Sequence, residues 1–161
     1  MTSPRVSVII PTFNRADRVS RAIDSVLSQT YRDFEIIVVD DGSSDNTREV
    51  VTAYGAPVRY VFQENQGPGA ARNHGIRVAA GMYLGFLDSD DVWLPTFLAK
   101  TVAALDEYPD VDVATVGIYV GPEGQKMITH LEGVQPGLWQ LPHRVPKREL
   151  HHLLSGFCAG S

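Results

Sequence analysis

Two groups of carboxylates are the residues best placed to do chemistry: Asp40-Asp41 directly after the apolar run Phe34 to Val39, and Asp88-Ser89-Asp90-Asp91 directly after Met82 to Leu87. Adjacent carboxylates are oxygen donors for hard cations. Mg2+ and Mn2+ are commonly shared between one or two carboxylates and the phosphates of a substrate, so Asp88 and Asp90 suit a metal-diphosphate site. Five acids on one edge of a sheet would repel one another at low effective dielectric unless something positive sits among them, and a divalent cation is the simplest answer. The competing role for an aspartate after a strand is to cap a helix or turn a corner. Asp45, which with Ser44 opens a helix, is assigned to that role. Asp88 and Asp90 are not, because an apolar strand delivering Asp-Ser-Asp-Asp concentrates more charge than a turn needs.

The elements that must position these groups alternate along the chain. Val6 to Ile10, closed by Pro11, is a continuous β-branched run of the kind buried on both faces of a sheet. Val19, Ala22, Ile23, Val26 and Leu27 repeat at helical spacing within a helix expected from Arg15 to Gln29, with Asn14 placed to cap it. Strands follow at Phe34 to Val39, Val58 to Phe62, Met82 to Leu87 and Val111 to Gly117. Helices intervene at about 45–54, between Gly67-Pro68 and Gly81, and at about 95–107; the Pro-first, Gly-after pattern marks the third. This β-α alternation predicts an α/β fold with a mostly parallel, right-handed sheet and helices on both faces, and ligands at the carboxyl ends of the strands. Beyond Gly117 a hairpin is expected, Ile118 to Val120 against Lys126 to Thr129. Gly133, Pro136, Gly137 and Pro142 then interrupt any regular element, which predicts a loop over the active face.

Composition bounds the partners. At 161 residues and 43% hydrophobic side chains the chain can bury one substantial core. Its 14 Lys and Arg against 19 Asp and Glu give a net charge of −5, which disfavours nucleic acid as a partner. Cys158 is the single cysteine, so there is no intrachain disulfide or zinc-thiolate cluster, and a reducing cytoplasm fits. The apolar stretch after Arg5 is far too short for a signal peptide or a membrane span, leaving peripheral attachment at the cytoplasmic face of a membrane open. His151 and His152 are adjacent and would point to different sides of a helix, which argues against zinc.

Four segments resemble family 2 glycosyltransferases in order and spacing: Val-Ser-Val-Ile-Ile-Pro-Thr-Phe-Asn-Arg (6–15), Val-Val-Asp-Asp-Gly-Ser (38–43), Gly-Pro-Gly-Ala-Ala-Arg-Asn-His-Gly (67–75) and Phe-Leu-Asp-Ser-Asp-Asp (86–91). The resemblance implies a GT-A fold with a Rossmann-like sheet. Residues 1–161 would form a single GT-A domain, with 1–117 as the nucleotide-sugar-binding core and 118–161 as the start of an incomplete acceptor-side region. It places Pro11, Thr12 and Asn14 at the base pocket, with Asp41 accepting from the imide of uracil or a related base and Asp40 lining the same pocket. Arg72 would reach the nucleotide. Asp88 would meet the ribose or a metal-bound water, Asp90 would ligate Mn2+ or Mg2+ directly, and Asp91 would support the loop.

The implied reaction moves a sugar from a nucleoside diphosphate to a hydroxyl of a glycan or lipid-linked acceptor with inversion, as in polysaccharide biosynthesis for a cell envelope. In the family the general base follows a segment resembling Leu154 to Ser161, so it is expected beyond Ser161, and the 161 residues are expected to bind donor with little transfer and to self-associate. Thr12 and Asn14 could instead cap the first helix, and Arg72 could pair with a nearby acid. His74 is expected at the surface, and Trp93 and Trp139 could stack on a sugar or pack under a loop. Three other functions compete. A dinucleotide oxidoreductase lacks support because no G-x-G-x-x-G follows the first strand. A sugar nucleotidyltransferase would need more basic residues there than Arg15 and Arg18, and a non-catalytic nucleotide-sugar-binding module remains open.

Overall fold

The computed structural model describes residues 3–109 and the strand pieces 113–114, 118–120, 125–127 and 138–139. Four parallel strands form the main sheet in the order β3-β2-β1-β4, where β1 is Val6–Thr12, β2 Phe34–Asp40, β3 Val58–Phe62 and β4 Tyr83–Phe86. Every residue of β1 is buried, as its unbroken apolar run requires of a central strand. Because side chains alternate across a strand, Ile9, Ile37 and Val39 share one face, where they pack with Ala71 and Ile76 of α3 (Pro68–Val78). Val8, Ile10, Ile36 and Val38 take the other face and are fully buried. α1 (Val19–Leu27) buries Val19, Ala22, Ile23 and Val26, the stripe expected of an amphipathic helix. α2 (Thr47–Thr52) buries Thr47 and Val51 and packs on β2 and β3. Gly75 lets α3 lie close on the sheet, since a Cβ there would collide with the Ile9 side chain.

The strand starts are tied by a polar lattice at the edge opposite the acids. The Ser7 hydroxyl donates to Glu35 Oε1 at 2.6 Å and accepts from Gly81 N–H at 2.8 Å, while Glu35 Oε1 also accepts from Ala80 N–H at 2.9 Å. A shallow concavity of about 560 Å3 lies at this edge, lined by Arg5, Asp33, Gly81 and neighbours, and contains none of the residues nominated for chemistry.

Two expectations change. α1 begins at Val19 instead of Arg15, because Asn14 adopts a left-handed φ of 49° and residues 15–18 form a turn closed by Val19 N–H to Arg15 C=O at 2.9 Å. The expected fifth parallel strand is seen only as β5 (Val113–Ala114), which pairs antiparallel with β8 (Leu138–Trp139). The hairpin is present: β6 (Ile118–Val120) pairs antiparallel with β7 (Gln125–Met127). The chain divides into two compact units between Ala99 and Lys100, with α4 (Phe97–Glu107) beginning in the first. Apart from β8, the expected loop at 133–146 lies outside the described residues.

Candidate functional site

Parallel pairing brings both acidic groups to one edge of the sheet. β1 pairs with β2 as far as Thr12 opposite Asp40, but with β4 only as far as Ile9 opposite Phe86. Leu87 N–H still donates to Ile9 C=O at 3.1 Å. Pro11, two residues on and aimed the same way by the strand's period, has no N–H to continue that ladder. β1 and β4 therefore part at Pro11, where the strand order reverses, and such a switch point is where open α/β sheets bind ligands.

One side of this opening is built by Thr12, Asp40 and Asp41. Asp40 is 1% exposed; its Oδ1 accepts from Ser43 N–H at 2.8 Å and its Oδ2 from the Tyr60 hydroxyl at 2.7 Å. Asp41 is 3% exposed and accepts from Gln63 Nε2 (2.6 Å), Gln66 N–H (2.9 Å) and Gly67 N–H (2.8 Å). A carboxylate offers about four acceptor positions, so Asp41 retains one. Thr12 Oγ1 is buried and has no hydrogen-bond partner among the described residues. Gly42, at φ 86°, is where the chain needs glycine, because a Cβ would also crowd the Asn65 backbone.

Asn14 reaches the same edge, but its Oδ1 accepts from Ser44 N–H at 2.8 Å and its N–H donates to Ser43 Oγ at 2.8 Å. It braces two loops and does not cap α1. Asp45 behaves as a turn residue: it accepts from Thr47 N–H at 3.0 Å and Ala16 N–H at 3.1 Å. Desolvation raises its carboxyl, but these bonds and the Thr47 hydroxyl outweigh that and the net shift is downward.

On the other side, Arg72 from α3 meets Asp88 at 2.5 Å, and Arg15 lies 3.6 Å from Asp90. Asp91 N–H closes the turn on Asp88 C=O at 3.0 Å. Its own carboxyl is pushed up, first by desolvation and then by the charges of Asp88 and Asp90. The positive charge that sequence reasoning sought among the acids is thus partly supplied by two arginines. Among the described residues no group of three or more His, Cys, Asp or Glu could hold a metal ion unaided. The donor set still fits a hard cation completed by phosphates, because Asp90 is 45% exposed at its side chain and offers only carboxylate oxygen.

Three residues outside the nominated set take part. Gln63 bridges Asp41 and His74, whose Nδ1 lies 3.0 Å from Gln63 Oε1; since the amide nitrogen donates to Asp41, His74 Nδ1 is the donor to the amide oxygen. His74 is therefore a half-buried partner and not a free surface side chain. Arg15 is the third, and only its place beside the first motif hinted at it. Trp93 is engaged in packing: it stacks on Phe97 at 4.1 Å and lies over Gly85, where a Cβ would meet its ring. Trp139 belongs to β8.

A parallel α/β half-sheet with arginine-buttressed aspartates at its switch point defines a GT-A-type fold, and comparison with known proteins makes the class specific. The sequence pattern of Glycosyl transferase family 2 matches residues 7–161, and the chain belongs to that family. An uncharacterized glycosyltransferase of Rickettsia prowazekii (strain Madrid E) is 42% identical over 121 residues, covering 75% of this chain and 37% of the relative. Another, from Nostoc sp., is 50% identical over 102 residues, covering 61% and 32%. The chain thus spans about a third of the length of these relatives. Among solved structures, S. aureus TarS in complex with UDP-GlcNAc superposes with a TM-score of 0.63 at 33% identity, covering 66% of this chain and 33% of that one. The mannosyltransferase PcManGT from Pyrobaculum calidifontis, in complex with GDP-Man and Mn2+, gives 0.62 at 32% identity, covering 69% and 34%. Among the described residues no helix is long and apolar enough to cross a membrane.

Proposed function

We propose that residues 1–117 are the donor-binding core of a metal-dependent, inverting glycosyltransferase that takes a nucleoside diphosphate sugar, and that 118–161 begin its acceptor side. The observation that carries this reading is the opening at Pro11 between β1 and β4, bordered by Thr12, Asp40 and Asp41 on one side and by Asp88 and Asp90 on the other. UDP-GlcNAc in TarS and GDP-Man with Mn2+ in PcManGT support a donor of this class.

In this reading the base lies against Pro11, Thr12 and Asn14. Asp41 keeps one acceptor position for a base N–H, and the unpartnered Thr12 hydroxyl is a second polar contact. Asp40 shapes the pocket floor through Ser43 and Tyr60. Arg72 holds Asp88 toward the ribose and phosphates, and its fork can share phosphate oxygens. Mn2+ or Mg2+ held by Asp90 with Asp88 would supply positive charge to a diphosphate whose own negative charge grows as the glycosidic bond breaks. The acceptor would be a glycan or lipid-linked hydroxyl, and the protein would act in the cytoplasm or at the cytoplasmic face of a membrane.

Calorimetric titration with UDP, GDP, TDP and CDP, with and without Mn2+, tests the assignment. One nucleotide should bind, Mn2+ should tighten it by roughly tenfold, or about 1.4 kcal/mol, and Asp90→Ala should abolish that gain. If none of the four binds, or Asp90→Ala leaves the Mn2+ gain intact, the proposal fails.

A further inference from the structure

Gln29 lies two residues beyond α1, is fully buried, and is the polar side chain that touches both flanks of the segment following the acidic turn. Its Nε2 donates to Ser25 C=O at 3.0 Å and to Leu94 C=O at 2.8 Å, and its Oε1 accepts from Leu98 N–H at 2.9 Å. Both amide protons and the oxygen are therefore engaged, and two of the three bonds cross more than sixty residues of chain. Leu98 N–H belongs to the first turn of α4, where helix geometry leaves amides without an intrahelical partner. Gln29 thus caps a helix from outside it and fixes a carbonyl four residues past Asp90. Neighbouring bonds follow the same path: Thr30 N–H to Pro95 C=O at 2.8 Å and Trp93 N–H to Ser25 Oγ at 3.1 Å.

The segment from Leu87 to Leu98 is consequently held at two ends by different parts of the fold. Leu87 hangs on β1, whereas Leu94 and Leu98 hang on the end of α1. The exposed carboxylate of Asp90 lies between these anchors, and among the described residues its side chain is braced by Arg15 at 3.6 Å. A buried amide with both its N–H groups and its oxygen hydrogen-bonded is costly to replace and defines one geometry, which is how a supporting residue fixes a ligand on a loop. We propose that Gln29 is a positioning residue for the proposed metal-diphosphate site: it sets the exit of the acidic turn and hence the placement of Asp90. This rests on the donor-binding reading above.

The test separates positioning from general stability. Gln29→Leu keeps the volume and removes all three bonds; Ser25→Ala removes the Trp93 bond and releases the same segment more gently, should Gln29→Leu fail to fold. UDP, GDP, TDP and CDP are titrated with and without Mn2+ into wild type and variant, and amide hydrogen exchange is followed without ligand. The Mn2+ enhancement should fall roughly tenfold, metal-free nucleotide binding should change less than about twofold, and exchange should quicken across residues 91–98 but not in β1 or β2. An unchanged enhancement, a parallel loss of both binding modes, or unchanged exchange across 91–98 overturns the role of Gln29. A wild type that binds none of the four nucleotides overturns the donor-binding reading instead, which the exchange result does not.

Discussion

The Arg72 guanidinium and the Asp88 carboxylate meet at 2.5 Å across the opening between α3 and the end of β4, with the arginine side chain only 15% exposed. A charged hydrogen bond of this kind is worth about 1.5–3 kcal/mol, and removing one partner takes this bond from a charge that stays half-buried. Arg72→Ala should lower unfolding free energy by roughly 1–3 kcal/mol in urea titrations. It should also weaken nucleotide binding. Arg72→Lys should recover part of the stability and less of the binding, since an ammonium cannot reproduce a planar fork.

Gly75 sits where α3 crosses β1, and a methyl group there would run into Ile9. Alanine is the better helix former by about 0.8–1 kcal/mol, yet overpacking a close interface costs about 1–3 kcal/mol. The second effect should win, so Gly75→Ala should lower the unfolding midpoint. A rise in Tm would show that α3 can shift off the sheet without loss.

Tyr54 and Tyr60 give the fold an alkaline limit. Burial, then hydrogen bonding to Asp24, pushes the Tyr54 hydroxyl up to about 12, and burial together with Asp40 pushes Tyr60 up as well. Between the ordinary tyrosine value of about 10 and these raised values, the folded protein keeps phenolic protons that the unfolded chain has lost. Stability should therefore be flat in this respect below about pH 10 and decline as pH rises toward about 12. Tyr54→Phe should flatten part of that decline in urea midpoints measured across the range; an unaltered slope would contradict the assignment.

Tyr60 also supplies one of the two hydrogen bonds that the buried Asp40 accepts among the described residues. Tyr60→Phe should cost about 1–3 kcal/mol, because a desolvated carboxylate loses a donor that water cannot readily replace. Chemical denaturation at pH 7 would measure this.

The parallel core was legible because strands buried on both faces leave unbroken runs such as Val6 to Ile10 and Phe34 to Val39, and because α1 repeats at Val19, Ala22, Ile23 and Val26. The convergence of Asp40, Asp41, Asp88 and Asp90 on one edge followed from parallel direction alone. What escaped the sequence depends on partners distant in the chain. Nothing local says that Arg72 will find Asp88, that Gln63 will join Asp41 to His74, or that Gln29 will cap α4. The late start of α1 was missed for a related reason: Asn14 looks like a cap, but bonds to Ser43 and Ser44 on another loop hold it in a left-handed turn. The fifth strand was read from an apolar run too short to say which sheet it would join.

Pro11 gives the molecule a wedge cut by covalent chemistry: a missing hydrogen, and no bulky side chain, frees one neighbour of β1 before the other. Phe13 and Val92, exposed at 45% and 53%, follow Thr12 and the acidic turn directly in sequence, and replacing either leaves this parting of the strands in place. A scaffold of this sort can diversify its preferences by surface substitution alone, with the strands behind it left untouched.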